Sequence, residues 1–181
     1  MQQDSNARGI PKAVFLEDVQ DFVGGADGDA ELALKQLQET LAKYRFMEQS
    51  SLQRRLGLEE KVPELERTVE MVEVLIRKKE QEEAFSTTFE LADTLYAKGK
   101  VEDVDEVYIW LGASTMLSYP LPEALTLLTG KLSAARQSLA NVRDDLGWLK
   151  EQMTVTEVNV ARVYNWDVAR RRERRLADEG P

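Results

Sequence analysis

The residues most suggestive of chemistry in this chain are its paired carboxylates, Glu59-Glu60, Glu82-Glu83 and Asp144-Asp145. Two carboxyls held close together can divide into a general acid and a general base, because like charges push their pKa values apart. Here each pair lies on or beside a stretch whose apolar residues recur at helical spacing, where such pairs form solvated faces. Other reactive constellations lack their key members. The chain has no His, the usual general base near neutral pH and the commonest metal ligand. It has no Cys, so neither a thiolate nucleophile nor a disulfide is available. Gly99-Lys100-Val101 and Gly130-Lys131-Leu132 lack the hydroxyl residue and context of a phosphate-binding loop. The acidic run Glu102 to Glu106 lacks calcium-loop spacing. These residues point to a protein that is not an enzyme and uses no cofactor or metal.

The 24 basic and 33 acidic side chains give a formal charge of −9. That balance argues against nucleic acid as a partner, since phosphate neutralisation needs net positive surface. The one positive cluster is Arg170-Arg171-Arg172 with Arg174-Arg175. It either complements a helix C-terminus or marks nucleic-acid binding or nuclear import. No apolar run reaches membrane-spanning length and no signal-peptide pattern opens the chain, so no membrane association is expected. A cytoplasmic protein is the expectation, with the Arg-rich end leaving a nuclear pool open.

The elements that position these residues are two heptad helices flanking a strand-rich segment. In the first, Leu34, Leu37, Leu41, Tyr44, Leu58, Val62, Leu65, Val69, Val72 and Ile76 step alternately by three and four. Glu48, Ser51 and Arg55 interrupt this seam, and Pro63 sits inside it. An interior Pro costs about 3 kcal/mol, so a bend is expected near residues 59–63, with the heptad phase retained. In the second helix the seam runs through Leu125, Leu128, Leu132, Ala135, Leu139, Val142, Leu146, Leu149, Met153, Val160 and Val163. Placing Ile76 beside Leu128 predicts an antiparallel register whose paired positions sum to about 204. The expected fold is α+β and mostly α, a long antiparallel coiled-coil hairpin with two short β-hairpins at its bend. Its segments are an N-terminal extension over 1–29, helix one over 30–84, strands over 85–121, helix two over 122–175 and a disordered tail over 176–181. Residues 1–8 are also expected to be disordered. Phe15, Val19, Phe22 and Val23 suit a short amphipathic helix ended by Gly24-Gly25, and Asp29 is an expected N-cap for the first long helix.

In the strand-rich segment, Lys98-Gly99-Lys100 reads as a turn, and Gly112 to Ser114 as the turn of a second hairpin. Two hairpins are marginal in water by themselves. Yet this segment carries Leu95, Tyr96, Val107, Ile109, Leu111, Met116 and Leu117, and open apolar edges pair with other chains. Those seven residues are therefore expected to mediate oligomerisation. The alternative is a small sheet covered by the chain's own helices. Off the heptad seam lie Phe46, Leu56, Trp148, Val155, Val158 and Trp166. They read as interaction surface, as scattered surface residues, or as contacts for a docked N-terminal segment.

Several stretches carry a resemblance to the α-type subunits of prefoldin: GIPKAVFLEDVQDF at 9–22, KYRFME at 43–48, FELADTLYAKGKV at 89–101, YIWLGASTMLSYPLPEA at 108–124 and TEVNVARVYNWDV at 156–168. The Arg-rich end after Val168 departs from the pattern. The resemblance implies a hexamer with a second α-type and four β-type prefoldin subunits, whose β-hairpins join an oligomeric β-barrel while the coiled coils project as tentacles. It implies capture of unfolded actin and tubulin chains and their delivery to the cytosolic chaperonin without ATP. It also implies contact with the von Hippel–Lindau protein. Client contacts near the distal ends of the helices single out Phe46, Met47, Val158, Tyr164 and Trp166 as candidates. An adaptor subunit of a prefoldin-like assembly in another complex is the alternative.

Overall fold

A computed structural model describes residues 5–25, 28–102 and 104–178. The expectation of disorder falls partly outside these residues, at 1–4 and 179–181. In order, the elements are α1 (Val19–Val23), α2 (Ala30–Glu80), β1 (Phe85–Ala92), β2 (Leu95–Val101), β3 (Glu106–Gly112), β4 (Thr115–Pro120) and α3 (Leu121–Asp178). Asp29 caps α2: its Oδ1 accepts the backbone N–H groups of Glu31 at 2.9 Å and Leu32 at 3.2 Å. Arg77, Lys78 and Lys79 complement the opposite end of its dipole. Pro63 lies within α2, which continues past it as one helix. Pro122 falls in the first turn of α3, where a missing N–H costs nothing.

The chain divides into two compact units, residues 57–139 and residues 1–56 with 140–181. In the first, the C-terminal part of α2 packs on the start of α3. Val72, Leu121, Ala124 and Leu128 are buried, with Val69, Leu75, Ile76, Val107, Ile109 and Tyr119 against them. In the second, Val19, Ala30, Ala33 and Val163 form a buried cluster with Leu16, Leu37 and Trp166 against it. Tyr44 and Leu149 are also buried there. An ion pair in each unit reports the register of α2 on α3: Glu66–Arg136 at 2.8 Å and Arg45–Glu157 at 3.0 Å. Both pairs of positions sum to 202, two below the value expected from the seam.

The strands form two separate antiparallel sheets, β1 with β2 and β3 with β4. The register places Phe89 opposite Ala97 and Ile109 opposite Leu117. This corrects the expected β-barrel. Closing a barrel requires each strand to be paired along both edges, and here every strand has one neighbour, with no closed or curled sheet among the described residues. The first turn is also not at Lys98-Gly99-Lys100, which lies inside β2. It falls at Asp93–Thr94, where Thr94 takes a left-handed conformation (φ 64°). Gly99 serves another purpose: a Cβ there would lie 2.8 Å from the ring of Phe89, so the glycine lets the aromatic ring lie across the neighbouring strand. The second turn is where the glycine signal placed it, with Gly112, Ala113 and Ser114 all at positive φ.

Leu149 is fully buried. Leu149→Ala is expected to lower stability by about 2–5 kcal/mol, through lost apolar transfer energy and a residual cavity. Chemical denaturation of the two chains, compared at matched denaturant slope, checks this.

Candidate interaction surfaces

The first surface is built by the strands. Alternation along β3 sends Val107 and Ile109 toward the helices, where both pack on the buried cluster of residues 57–139. Tyr108 and Trp110 point the other way and are exposed, and Met116, opposite Trp110, is exposed beside them. Leu95, Tyr96, Leu111 and Leu117 are exposed as well. The seven residues expected to mediate oligomerisation are therefore divided. Val107 and Ile109 are partly spent on the chain's own core, and five remain on the surface. Tyr108 and Trp110 join them there. Each two-stranded sheet also leaves an outer edge of backbone donors and acceptors on every strand, a template for further pairing.

The second surface lies on α2 and α3 within residues 1–56 and 140–181. Phe46 is 75 % exposed and Tyr164 59 % exposed; Val158 is exposed to a lesser degree and Met47 is half-buried. Phe46 and Val160 line one shallow groove with Leu41, Ala42 and Arg45. Trp166 behaves differently. It packs against the cluster of Val19, Ala30, Ala33 and Val163, and the Arg170 guanidinium lies 4.7 Å from its ring centroid. The structure thus keeps Phe46, Val158 and Tyr164 on display and withdraws Trp166. The Arg-rich end is also partly committed: Arg170 and Arg171 both bind the buried Asp167, at 2.7 and 2.8 Å.

The third feature is a strap of N-terminal chain that lies along α3. Asn6 Nδ2 donates to Asp145 at 2.7 Å, and Arg8 pairs with the same carboxylate at 2.6 Å and donates to the Asn141 carbonyl. The Ala13 N–H donates to Gln152 Oε1 at 2.9 Å. The Leu16 N–H donates to Asn159 Oδ1 at 3.0 Å, while Asn159 Nδ2 donates to the Val14 carbonyl at 2.7 Å. Arg162 donates to the Glu17 carbonyl and lies over the Phe15 ring. Tyr44 on α2 donates its hydroxyl to the Pro11 carbonyl at 3.1 Å. The strap ends in α1, capped by Asp18 and closed by left-handed Gly24. Gln152 and Asn159 were not among the residues singled out from sequence, and Asp145 was named there only as half of a solvated carboxylate pair. Their signal was a polar residue recurring every seven positions beside the seam.

Among the described residues, no group of three or more His, Cys, Asp or Glu could hold a metal ion, and no helix is long and apolar enough to cross a membrane.

Comparison with known proteins agrees across most of the chain. The prefoldin subunit family profile matches residues 44–166. Prefoldin subunit 3 of Elsinoe fawcettii is 50 % identical over 176 residues, covering 97 % of this chain and 89 % of that protein. Prefoldin subunit 3 of Homo sapiens is 45 % identical over 164 residues, covering 90 % and 83 % of the two chains. The probable prefoldin subunit 3 of Schizosaccharomyces pombe is 44 % identical over 172 residues, covering 95 % and 98 %.

Burial of Tyr44 is expected to make the stability of the folded chain sensitive to alkaline pH. Burial raises the Tyr44 pKa above the ordinary tyrosine value of 10.0, because desolvation disfavours the phenolate. A raised pKa in the folded state means the folded chain binds the proton more tightly than the unfolded one. The associated stability is present below the unfolded value and is lost as pH rises through the folded value. Urea midpoints of wild type are expected to fall more steeply above pH 10 than those of Tyr44→Phe, and equal slopes would dissociate the phenol from this effect.

Proposed function

The chain belongs to the prefoldin family, and on that premise we propose how its surfaces divide the work of a co-chaperone subunit. The strand surface joins it to the other prefoldin subunits, as one of two α-type chains beside four β-type chains. The observation that carries this reading is the exposed apolar face of Tyr108, Trp110 and Met116 on a sheet of only two strands. Such a face and its open edges are costly in water for an isolated chain and favour burial against partner strands. Assembly then rests on apolar contact and strand pairing between subunits.

The helix surface bearing Phe46, Val158 and Tyr164 supplies weak apolar grips for non-native chains. Each grip is small, and several subunits around one client add their effects through high local concentration. Weak single contacts also permit transfer without a nucleotide-driven step. The clients in this reading are actin and tubulin chains, the recipient is the cytosolic chaperonin, and the von Hippel–Lindau protein is a further contact. Acidic side chains across the remaining surface keep the bound client hydrated and the complex soluble.

Light scattering of the chain mixed with the other α-type and the β-type prefoldin subunits tests the assembly. A defined hexamer is expected, and Trp110→Asp with Leu117→Asp is expected to leave this chain outside it. Hexamer formation by the doubly substituted chain would remove the strand face from the proposal. A wild-type chain that ignores those subunits would favour an adaptor role in another complex. For client capture, Phe46→Ser with Tyr164→Ser is expected to weaken suppression of actin aggregation several-fold without changing the mass of the hexamer. Undiminished suppression would take both residues out of the client surface.

A further inference from the structure

The face of α3 beneath the N-terminal strap is unusual for a coiled-coil helix. Asp145, Gln152 and Asn159 are spaced seven residues apart and are all buried, Gln152 to 4 % and Asn159 to 2 % exposure. Buried polar side chains are tolerated when their hydrogen bonds are met, and here the strap meets them. What Gln152 and Asn159 touch is main chain: the Ala13 and Leu16 N–H groups and the Val14 carbonyl. No strap side chain contributes to those three bonds.

The spacing explains the fit. Seven residues along an α-helix advance about 10 Å. Three residues of extended chain, the separation of the Ala13 and Leu16 amides, also advance about 10 Å. Amide side chains at one heptad position therefore keep step with every third residue of an extended segment laid along the helix. An asparagine amide both donates and accepts, so it can hold a backbone C=O and an N–H of any sequence. The face also carries donors that the strap leaves unmet: Trp148 Nε1 and Arg162 Nε are buried without an acceptor. Trp148 lies one turn before Gln152, and Arg162 three residues beyond Asn159. Neither atom is bonded by the strap, although the Arg162 guanidinium itself donates to the Glu17 carbonyl.

We propose that this face of α3 is a main-chain-reading groove for an extended segment of a non-native polypeptide, and that residues 5–17 are its resident occupant, displaced when a client binds. The strap is built to be exchangeable. Its grip on Gln152 and Asn159 is through main chain, and its Val14 side chain is exposed, while Phe15 lies under Arg162 and Leu16 packs on the Val19 cluster. The polar anchor, Asn6 and Arg8 on Asp145, sits at one end, so removing it weakens the strap's hold while leaving the Gln152 and Asn159 amides in place. The proposal rests on the co-chaperone reading and adds to it the part of a client that is recognised, its backbone.

The assembled complex tests it, with a fluorescent peptide copying residues 5–23 as probe. A complex carrying Asn6→Ala and Arg8→Ala is expected to bind the peptide about tenfold more tightly than wild type, because a larger fraction of grooves stands open. N-methylation of the peptide at its Ala13 and Leu16 positions, which removes the two donors, is expected to abolish that binding. Chemically unfolded actin is expected to release the bound peptide and, in wild type, to speed hydrogen exchange at the Ala13 and Leu16 amides. Equal binding by the N-methylated peptide overturns backbone reading. A complex that holds actin, yet neither releases the peptide nor loses strap protection, overturns the groove and leaves the co-chaperone reading intact. A complex that binds the peptide but fails to hold actin defeats the co-chaperone reading and the displacement with it.

Discussion

The rest of the molecule depends on the antiparallel seam of α2 against α3. A helix of 51 or 58 residues is stable in water only where one face is buried, since propensity alone contributes little per residue. Tyr44, Leu149 and Val163 supply that burial in one compact unit, and Val72, Ala124 and Leu128 in the other. The seam covers one stripe of each helix and no more. Every other face has to be polar, be covered by another piece of chain, or stay available to a partner. The chain uses all three solutions: acidic outer faces, a strap over α3, and exposed Phe46 and Tyr164.

The strands meet the same shortage of cover more severely. A two-stranded sheet has two faces, and the helices cover one of them through Val107, Ile109 and Tyr119. The opposite face holds Tyr108, Trp110 and Met116 with nothing over it. Turn geometry gives each hairpin its local shape, with Gly112, Ala113 and Ser114 in the left-handed region and Gly99 yielding space to the Phe89 ring. Among the described residues no further strand pairs with the outer edge of either hairpin. The absent barrel and the exposed apolar face thus have one cause: each sheet stops at two strands.

Legibility from sequence followed physical periodicity. The two long helices, the Asp29 cap and the Gly112 turn each left a local signature, because a 3–4 apolar step, a capping carboxylate and a φ-permissive residue are local requirements. Lys98-Gly99-Lys100 misled because glycine has two uses. It can turn a chain, or it can make room for a neighbour, and only the strand partner reveals which. The heptad label leaves Trp166 open to display or to cover by a docked N-terminal segment, because it describes its place relative to α2 alone. The side chain is covered by a third element, the N-terminal segment, which no two-helix register can contain. The strap itself was hardest to read. Its bonds to Gln152 and Asn159 run from its backbone, which is the same for every residue, so only its Asn6 and Arg8 side-chain contacts could leave a trace in its own sequence.

The trace lies on the partner instead. A heptad helix that needed only a solvated outer face would have no use for buried Asp145, Gln152 and Asn159, since burying an amide or carboxylate costs free energy unless its hydrogen bonds are restored. Apolar residues at those positions would pack an apolar side chain, and would thereby select a sequence. Amides at a seven-residue spacing select a conformation, because their donors and acceptors match an extended backbone in length and leave its side chains free. Selection of conformation without selection of sequence is what distinguishes a non-native chain from a native one, whose backbone groups are already paired in helices and sheets. The polar stripe on α3 thus suits the physical difference a holding chaperone has to detect, and the chain's own extended N-terminal backbone is the first segment to satisfy it.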